Sequence, residues 1–255
     1  MSPPDGVVAL LRAAGCVFAD DEARLLCAAA DTTAELDVLV ARRVAGEPLE
    51  HLLGRVEFGG LHLAVAPGVF VPRRRTELLA GQALALVRAV AGRPVVVDLC
   101  CGCGAVAAVI VAAVPAVELH ASDVDDDAVR CARRNLPAGA VHRGDLFAAL
   151  PAGLRGRVDV LVANAPYVPT DAIALMPPEA RDHEPRTALD GGADGLDLLR
   201  RIVAGAPDWL AAGGTLLVEA GTRQLPALTA VVVGSGLAPT VVTDDERGAT
   251  VVLAR

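Results

Sequence analysis

Val95-Val96-Val97-Asp98-Leu99-Cys100-Cys101-Gly102-Cys103-Gly104 is the stretch from which the organisation of this chain can be read. Val95–Leu99 has the composition of a buried strand, the small residues after it form a tight turn, and Ala105–Val114 has helical character. Outward from it, strand-like runs recur at Val117–Ser122, Val158–Ala163, Thr215–Glu219, Thr240–Thr243 and Thr250–Leu253. Helical stretches at Asp126–Asn135 and Leu196–Ala204 are interleaved with them. Such alternation predicts an α/β fold with a parallel sheet covered by helices on both faces. Only Asp244–Ala249 separates the last two strands, too little for a crossover helix, so they should close the sheet as an antiparallel hairpin.

The region before this unit has a different periodicity. Val7, Val8, Leu10 and Leu11, then Leu25 and Leu26, then Leu36, Leu39, Val40 and Val44 recur at helical spacing. Asp20 and Asp31 are candidate N-caps, and Gly46 with Pro48 punctuates the end. From Arg55 to Pro72 short alternating runs take over, and Val56–Phe58 and Leu61–Val65 around Gly59-Gly60 predict a hairpin. Three parts follow: a small α-helical domain over 1–54, a β-hairpin linker over 55–75 and the α/β domain over 76–255. Pro169 to Gly195 is long and Pro-rich, which suggests a loop that orders on binding.

Composition narrows the chemistry. The 255 residues carry 23 cationic side chains, all Arg, against 31 acidic ones, a net charge of −8. That balance argues against a broad phosphate-gripping surface, and hence against nucleic acid as direct substrate. A hydrophobic share of 53% is ample for a core and excludes a disordered chain. With four Phe, one Tyr and one Trp, that core must be built from Ala, Val and Leu. Every apolar stretch is interrupted by Arg, Asp, Gly or Pro, so no membrane span is expected, and Met1 to Asp21 lacks the basic head and apolar middle of a signal peptide. Six cysteines at irregular spacing do not make a disulfide framework, and the expected location is the cytoplasm.

Four strand ends carry candidate site residues. The turn Cys100 to Gly104, next to Asp98, lets a backbone approach a ligand closely, although tight turns need glycine in any case. Asp123 closes the second strand roughly 20 residues later, where a carboxylate can accept both hydroxyls of a ribose. It could also cap the next helix, but Asp125 or Asp126 can do that instead. Asp145, before Leu146, closes a third strand and is either an acceptor for an adenine amino group or part of a surface turn. The fourth strand ends Asn164-Ala165-Pro166-Tyr167 and contains the only Tyr. The Asn164 side-chain carbonyl and the Ala165 backbone carbonyl, stiffened by Pro166, form a pair of acceptors able to hold an NH₂ group, with the Tyr167 ring as wall. A structural turn with a packed Tyr remains the alternative.

Asn164-Ala165-Pro166-Tyr167 resembles the Asn-Pro-Pro-Tyr signature of methyltransferases acting on planar amino groups. More widely, the chain resembles the HemK/PrmC protein-(glutamine-N5) methyltransferases. The resemblance runs through Gly46-Glu47-Pro48-Leu49-Glu50-His51-Leu52-Leu53-Gly54, Phe58-Gly59, Val71-Pro72-Arg73 and Thr76-Glu77. It continues in Glu184-Pro185-Arg186-Thr187-Ala188-Leu189, Gly191-Gly192, Asp194-Gly195-Leu196-Asp197 and Gly213–Glu219. It implies a class I methyltransferase Rossmann-like sheet, a helical segment that recognises the substrate, S-adenosyl-L-methionine as cofactor, and a protein glutamine as acceptor. In that family the usual target is the Gly-Gly-Gln loop of class I peptide-chain release factors. By position, Asp98, Cys100, Cys101, Gly102, Cys103 and Gly104 would line the cofactor, Asp123 would hold its ribose, and Asp145 and Leu146 would flank its adenine. Asn164, Ala165, Pro166 and Tyr167 would hold the amide, with Asn164 also beside the cofactor. Ala165, Cys100 and Arg74 depart from the family pattern and suggest a divergent paralogue.

Two other functional classes compete with this reading. One is a nucleic-acid amino methyltransferase acting on adenine N6 or guanine N2, which would use Tyr167 to stack on a flipped base. The other is a cofactor-binding interaction protein that has lost catalysis. Cys100, Cys101 and Cys103 invite a metal reading, but Cys16, Cys27 and Cys131 are isolated, and small-residue packing is the better account. The five His are read as structural or exposed. Arg73-Arg74-Arg75 reads as a solvated face, with contact to an acidic partner as the alternative.

Overall fold

The computed structural model describes residues 5–255; residues 1–4, which begin the first expected segment, lie outside it. Four helices come first: α1 (Asp5–Ala13), α2 (Ala19–Ala29), α3 (Thr33–Val44) and the short α4 (Leu49–Leu53). Leu11, Ala23, Leu26, Leu36 and Val40 bury their stripes together as a separate small core. The caps differ from the sequence expectation. Thr32, not Asp31, starts α3, through a capping box in which Thr32 accepts from the Glu35 N–H and Glu35 accepts from the Thr32 N–H. Asp20 lies within the first turn of α2, where its charge meets the positive end of the helix dipole without capping it.

A hairpin of β1 (Arg55–Phe58) and β2 (Leu61–Ala64) leads to α5 (Glu77–Ala89). The remainder is β3 (Val95–Leu99), α6 (Ala105–Ala113), β4 (Glu118–Asp123), α7 (Asp126–Asn135), β5 (Ala140–Arg143), β6 (Val158–Ala163), α8 (Pro178–His183), α9 (Asp197–Trp209), β7 (Leu210–Glu219), α10 (Leu225–Gly234), β8 (Pro239–Asp244) and β9 (Ala249–Ala254). The seven strands order as β5-β4-β3-β6-β7-β9-β8. Those from β5 to β7 are parallel, and β9 runs antiparallel to both β7 and β8, which is the expected terminal hairpin.

The two-residue period of each strand divides the core in two. Val96, Val160, Val162 and Leu217 face α5, α6 and the hairpin, whereas Val97, Leu99, Leu161, Ala163 and Leu216 face α9 and α10. The chain leaves β3 toward β4 and β5, then returns to β6 on the opposite side. Between the C-terminal ends of β3 and β6 lies the topological switch point, where such sheets open a crevice.

Pro169 to Gly195 is structured in this state. Thr170–Leu175 and Arg186–Ala188 form short 3₁₀ helices on either side of α8, and Val168, Thr170 and Gly191 N–H groups bond to Leu189, Gly192 and Val168 carbonyls across the segment. Prolines at 169, 177, 178 and 185 preset the turn dihedrals, so a Pro-rich stretch need not be loose. The segment is also tied to α3, through Arg43, which bonds both Glu22 (2.6 Å) and Glu179 (3.2 Å).

Candidate active site

A cavity of about 870 Å³ opens at the switch point. Of the residues singled out from sequence, Asp98, Cys100, Cys101, Gly102, Cys103, Asp123, Asp145, Leu146 and Asn164 through Tyr167 all line it. Gly104 does not. It stands at the start of α6 with φ +80°, and a Cβ there would meet Leu136 Cδ1 at 2.8 Å, so this glycine serves helix packing instead of the cavity wall.

At the β3 and β4 ends the walls are set by backbone hydrogen bonds. Asp123 Oδ2 accepts the Gly102 N–H at 2.9 Å and Oδ1 accepts the Asp125 N–H at 3.0 Å, leaving each oxygen further lone pairs. Asp125 caps α7 by accepting from Asp127 and Ala128, so Asp123 is spared that task. Burial pushes the Asp123 carboxyl up, against the pull of those two N–H donors. Asp98 is buried, accepts the Ala107 N–H at 3.2 Å, and is pushed up to about 7 by burial, with the Asp123 charge adding to the effect. Ser122 Oγ, beside Asp123, is buried without a partner among the described residues. Asn135 steadies the loop from behind, donating to the Cys103 and Ala64 carbonyls at 2.8 and 2.9 Å.

Among the described residues two non-glycines have left-handed backbones, Cys100 at φ +55° and Leu146 at φ +48°, and both face this cavity. Such conformations cost about 1–2 kcal/mol each and gather where a ligand is held. Asp145 bonds Arg201 at 2.6 Å on the exposed rim while Leu146 is buried, so the pair offers one polar and one apolar edge. The thiols of Cys100, Cys101 and Cys103 are all pushed up by burial, Cys103 to about 12, and are poor nucleophiles. Among the described residues no group of three metal-ligating side chains comes together.

Charged groups dominate the other end of the cavity. Asn164 Nδ2 donates to Thr76 Oγ1 at 3.3 Å, which leaves Oδ1 as its acceptor. Ala165 is buried at the end of β6, and none of the described residues donates to its carbonyl. Tyr167 donates its hydroxyl to Glu219 Oε1 at 2.9 Å, and Arg75 Nε donates to the same oxygen at 3.1 Å. The Arg75 guanidinium lies 5.8 Å from the centre of the Tyr167 ring. Burial, then the Glu219 charge, pushes the Tyr167 phenol well up, so it stays protonated and donating. Gly191 and Gly195 let the following segment pack on this turn: a Cβ at Gly191 would meet the Pro166 carbonyl at 2.8 Å, and one at Gly195 the Tyr167 carbonyl.

Arg73-Arg74-Arg75 is therefore only partly a solvated face. Arg73 bonds the fully buried Glu184 at 2.6 Å and lies over Phe70, Arg75 serves Glu219 and Tyr167 while its side chain stays partly exposed, and Arg74 is exposed. Glu184 also accepts the Val71 N–H at 3.1 Å. Thr76, Glu184 and Glu219 lie in the stretches that carry the resemblance, yet nothing in their local spacing assigns them a role. His51 bonds the Val69 carbonyl, and His120 and His142 stack on each other; none of the five His lines the cavity.

Comparison with known proteins adds four findings. The family model described as "Methyltransferase small domain" matches residues 61–176. A release factor glutamine methyltransferase of Streptomyces coelicolor is 44% identical over 198 residues, covering 76% of this chain and 70% of its own. A Streptomyces pristinaespiralis enzyme named 4-amino-L-phenylalanine/4-methylamino-L-phenylalanine methyltransferase is 37% identical, covering 77% and 69%. Among solved structures, a methyltransferase from Pyrococcus furiosus superposes with a TM-score of 0.56 at 16% identity, covering 84% of this chain and 95% of its own, a likeness of fold.

Proposed function

The chain belongs to the release factor glutamine methyltransferase family, and from that premise we propose that it methylates the side-chain amide nitrogen of a glutamine in the Gly-Gly-Gln loop of a class I release factor. The observation that carries this reading is the pair of open acceptors, Asn164 Oδ1 and the Ala165 carbonyl, in the same cavity as Asp123. The helical segment over 1–54, joined to the catalytic part by the hairpin, is read as the surface that recognises the acceptor protein.

S-adenosyl-L-methionine, when bound, supplies a sulfonium-activated methyl group. The residues present suit it: Asp123 has lone pairs left for two hydroxyls, Ser122 Oγ lacks a partner among the described residues, and a Cβ at Gly102 would meet nothing within 4 Å. Asp145 and Leu146 would take the polar edge and the face of its base.

An amide nitrogen is a poor nucleophile because its lone pair is delocalised into the carbonyl. The protein's task is alignment, which can lower a barrier by several kcal/mol. Asn164 Oδ1 and the Ala165 carbonyl accept the two N–H groups and stabilise them as they become more acidic during attack. Tyr167, held by Glu219, walls the side of the pocket. No base is needed beforehand, since the surplus proton leaves readily to water after transfer. Ala165 retains the carbonyl that this scheme uses.

The net charge of −8, with most Arg groups near the cavity engaged in ion pairs, supports a protein acceptor over nucleic acid. A release factor acceptor carries with it a cytoplasmic location; no helix of the described residues is long and apolar enough to cross a membrane. The S. pristinaespiralis relative favours one alternative, a small aromatic amine as acceptor. An aniline NH₂ shares with an amide NH₂ its attachment to an sp² carbon, so the same acceptor pair would serve both. The test offers labelled S-adenosylmethionine with a release factor, with its Gln→Ala variant, and with 4-amino-L-phenylalanine. Label on the Gly-Gly-Gln glutamine alone is expected; label only on the small amine, or none with cofactor binding intact, overturns the reading.

A further inference from the structure

Glu219 is 1% exposed, and the donors reaching it both go to one of its two oxygens, Oε1. Oε2 is buried with no partner among the described residues. A carboxylate oxygen left bare in a protein interior is costly, and in a native structure it calls for a missing partner. Bracing Tyr167 explains Oε1 and leaves Oε2 unexplained.

Glu219 lines a second cavity of about 220 Å³. Arg75 and Tyr167 belong to its wall and to that of the main cavity, so the two spaces abut at the acceptor turn. This space is far smaller than the main one and suits one or two peptide units. Its lining supplies both an acceptor, Glu219, and a donor fork, Arg75, which spends Nε on Glu219 and has four more N–H groups. Gly221 and Gly248 present no side chain there, which lets a main chain come close. Adjacent donor and acceptor groups are the complement of a peptide unit, which offers a carbonyl and an N–H.

We propose that this second cavity is a main-chain subsite for the acceptor protein, in which a small rotation of the Glu219 carboxylate brings Oε2 to the cavity wall to accept the backbone N–H on one side of the target glutamine, and Arg75 donates to a neighbouring backbone carbonyl. The inference rests on the release factor reading and deepens it: it makes the site one for a peptide-embedded amide, not for a free small amine. Acceptor specificity then lies in main-chain contacts that Gly-Gly neighbours, lacking side chains, leave accessible.

The test uses the full chain and release factors carrying a single backbone ester in place of the amide on either side of the glutamine, which removes one N–H. With the parent enzyme, one of the two esters should raise KM about tenfold while kcat stays within about threefold. In Glu219→Gln, whose neutral side chain is a weaker acceptor, the same ester should cost less than about threefold, because the KM of the all-amide acceptor has already risen. Tyr167→Phe removes the brace and spares Oε2, so there the ester penalty should persist near tenfold. Cofactor affinity equal to the parent's verifies that each variant is folded. An ester penalty unchanged in Glu219→Gln, or absent at both positions, overturns the subsite while the glutamine reading stands. No methylation of the all-amide release factor overturns the glutamine reading and the subsite with it.

Discussion

The two ends of the main cavity are built in different ways. At the β3–β4 end, the turn after β3 and the Asp123 carboxylate are tied together by backbone N–H groups. Its elements are neighbours in sequence as well as in space. At the β6–β7 end, the walls depend on ion pairs between segments far apart in the chain: Arg73 to Glu184 across 111 residues and Arg75 to Glu219 across 144. A cofactor that never changes suits a wall cast in main chain. An acceptor delivered by another macromolecule suits side chains whose partners can be varied one at a time.

If the two ends are separable, substitutions should divide cleanly between them. The largest effect is expected for Asn164→Ala, which removes one of the two amide acceptors: kcat should fall about 100- to 1,000-fold. Cofactor affinity, measured by calorimetry, should stay within about threefold. A comparable loss in both quantities would merge the two ends into one site. Asp123→Ala should do the converse, weakening cofactor binding about 30- to 100-fold through loss of charge-assisted hydrogen bonds. Its release factor KM at saturating cofactor should be little changed, and a large shift there would break the division.

Asp98 sharpens the comparison through pH. Its carboxyl sits near 7 in the folded chain against an ordinary 3.8, so the folded state binds the proton more tightly than the unfolded state. The stability this contributes is fully present below about pH 4 and is lost as pH rises through about 7. Between pH 5.5 and 8 the cofactor-free parent should lose on the order of 2 kcal/mol relative to Asp98→Asn, read as the difference in urea midpoints. Parallel pH profiles for the two proteins would place Asp98 outside the strained wall. Cys100→Gly should have the smallest effect, a stabilisation of about 1 kcal/mol by relief of the left-handed backbone, with cofactor affinity within about threefold. A loss of stability would mean that the thiol's packing outweighs that strain.

Legibility followed the same division. Cys100 through Cys103, Asp123 and the Asn164–Tyr167 turn were readable because each sits at a strand end that local patterning locates. Gly104 lies outside the cavity wall, and a glycine needed for a left-handed cap cannot be told by spacing from one needed for ligand approach. The helix caps went astray for a related reason: Asp31 and Thr32 are both good caps, and only the Glu35 side chain decides between them. Arg75, Thr76, Glu184 and Glu219 gave no local signal, since three adjacent Arg look alike until their partners are known.

The sequence by itself determined the alternation of strands and helices, the closing hairpin, the turns that present Asp123 and Asn164, and the family resemblance. These rest on periodicity and on backbone preferences that act over a few residues. Only the tertiary structure decided that β6 lies beside β3, and hence that Asn164 and Asp123 look into one space. It alone brought Arg75 under Tyr167 and left Glu219 Oε2 without a partner among the described residues. Strand order and long-range ion pairs follow from how two hydrophobic faces are buried at once, a property of the whole chain that no short window contains.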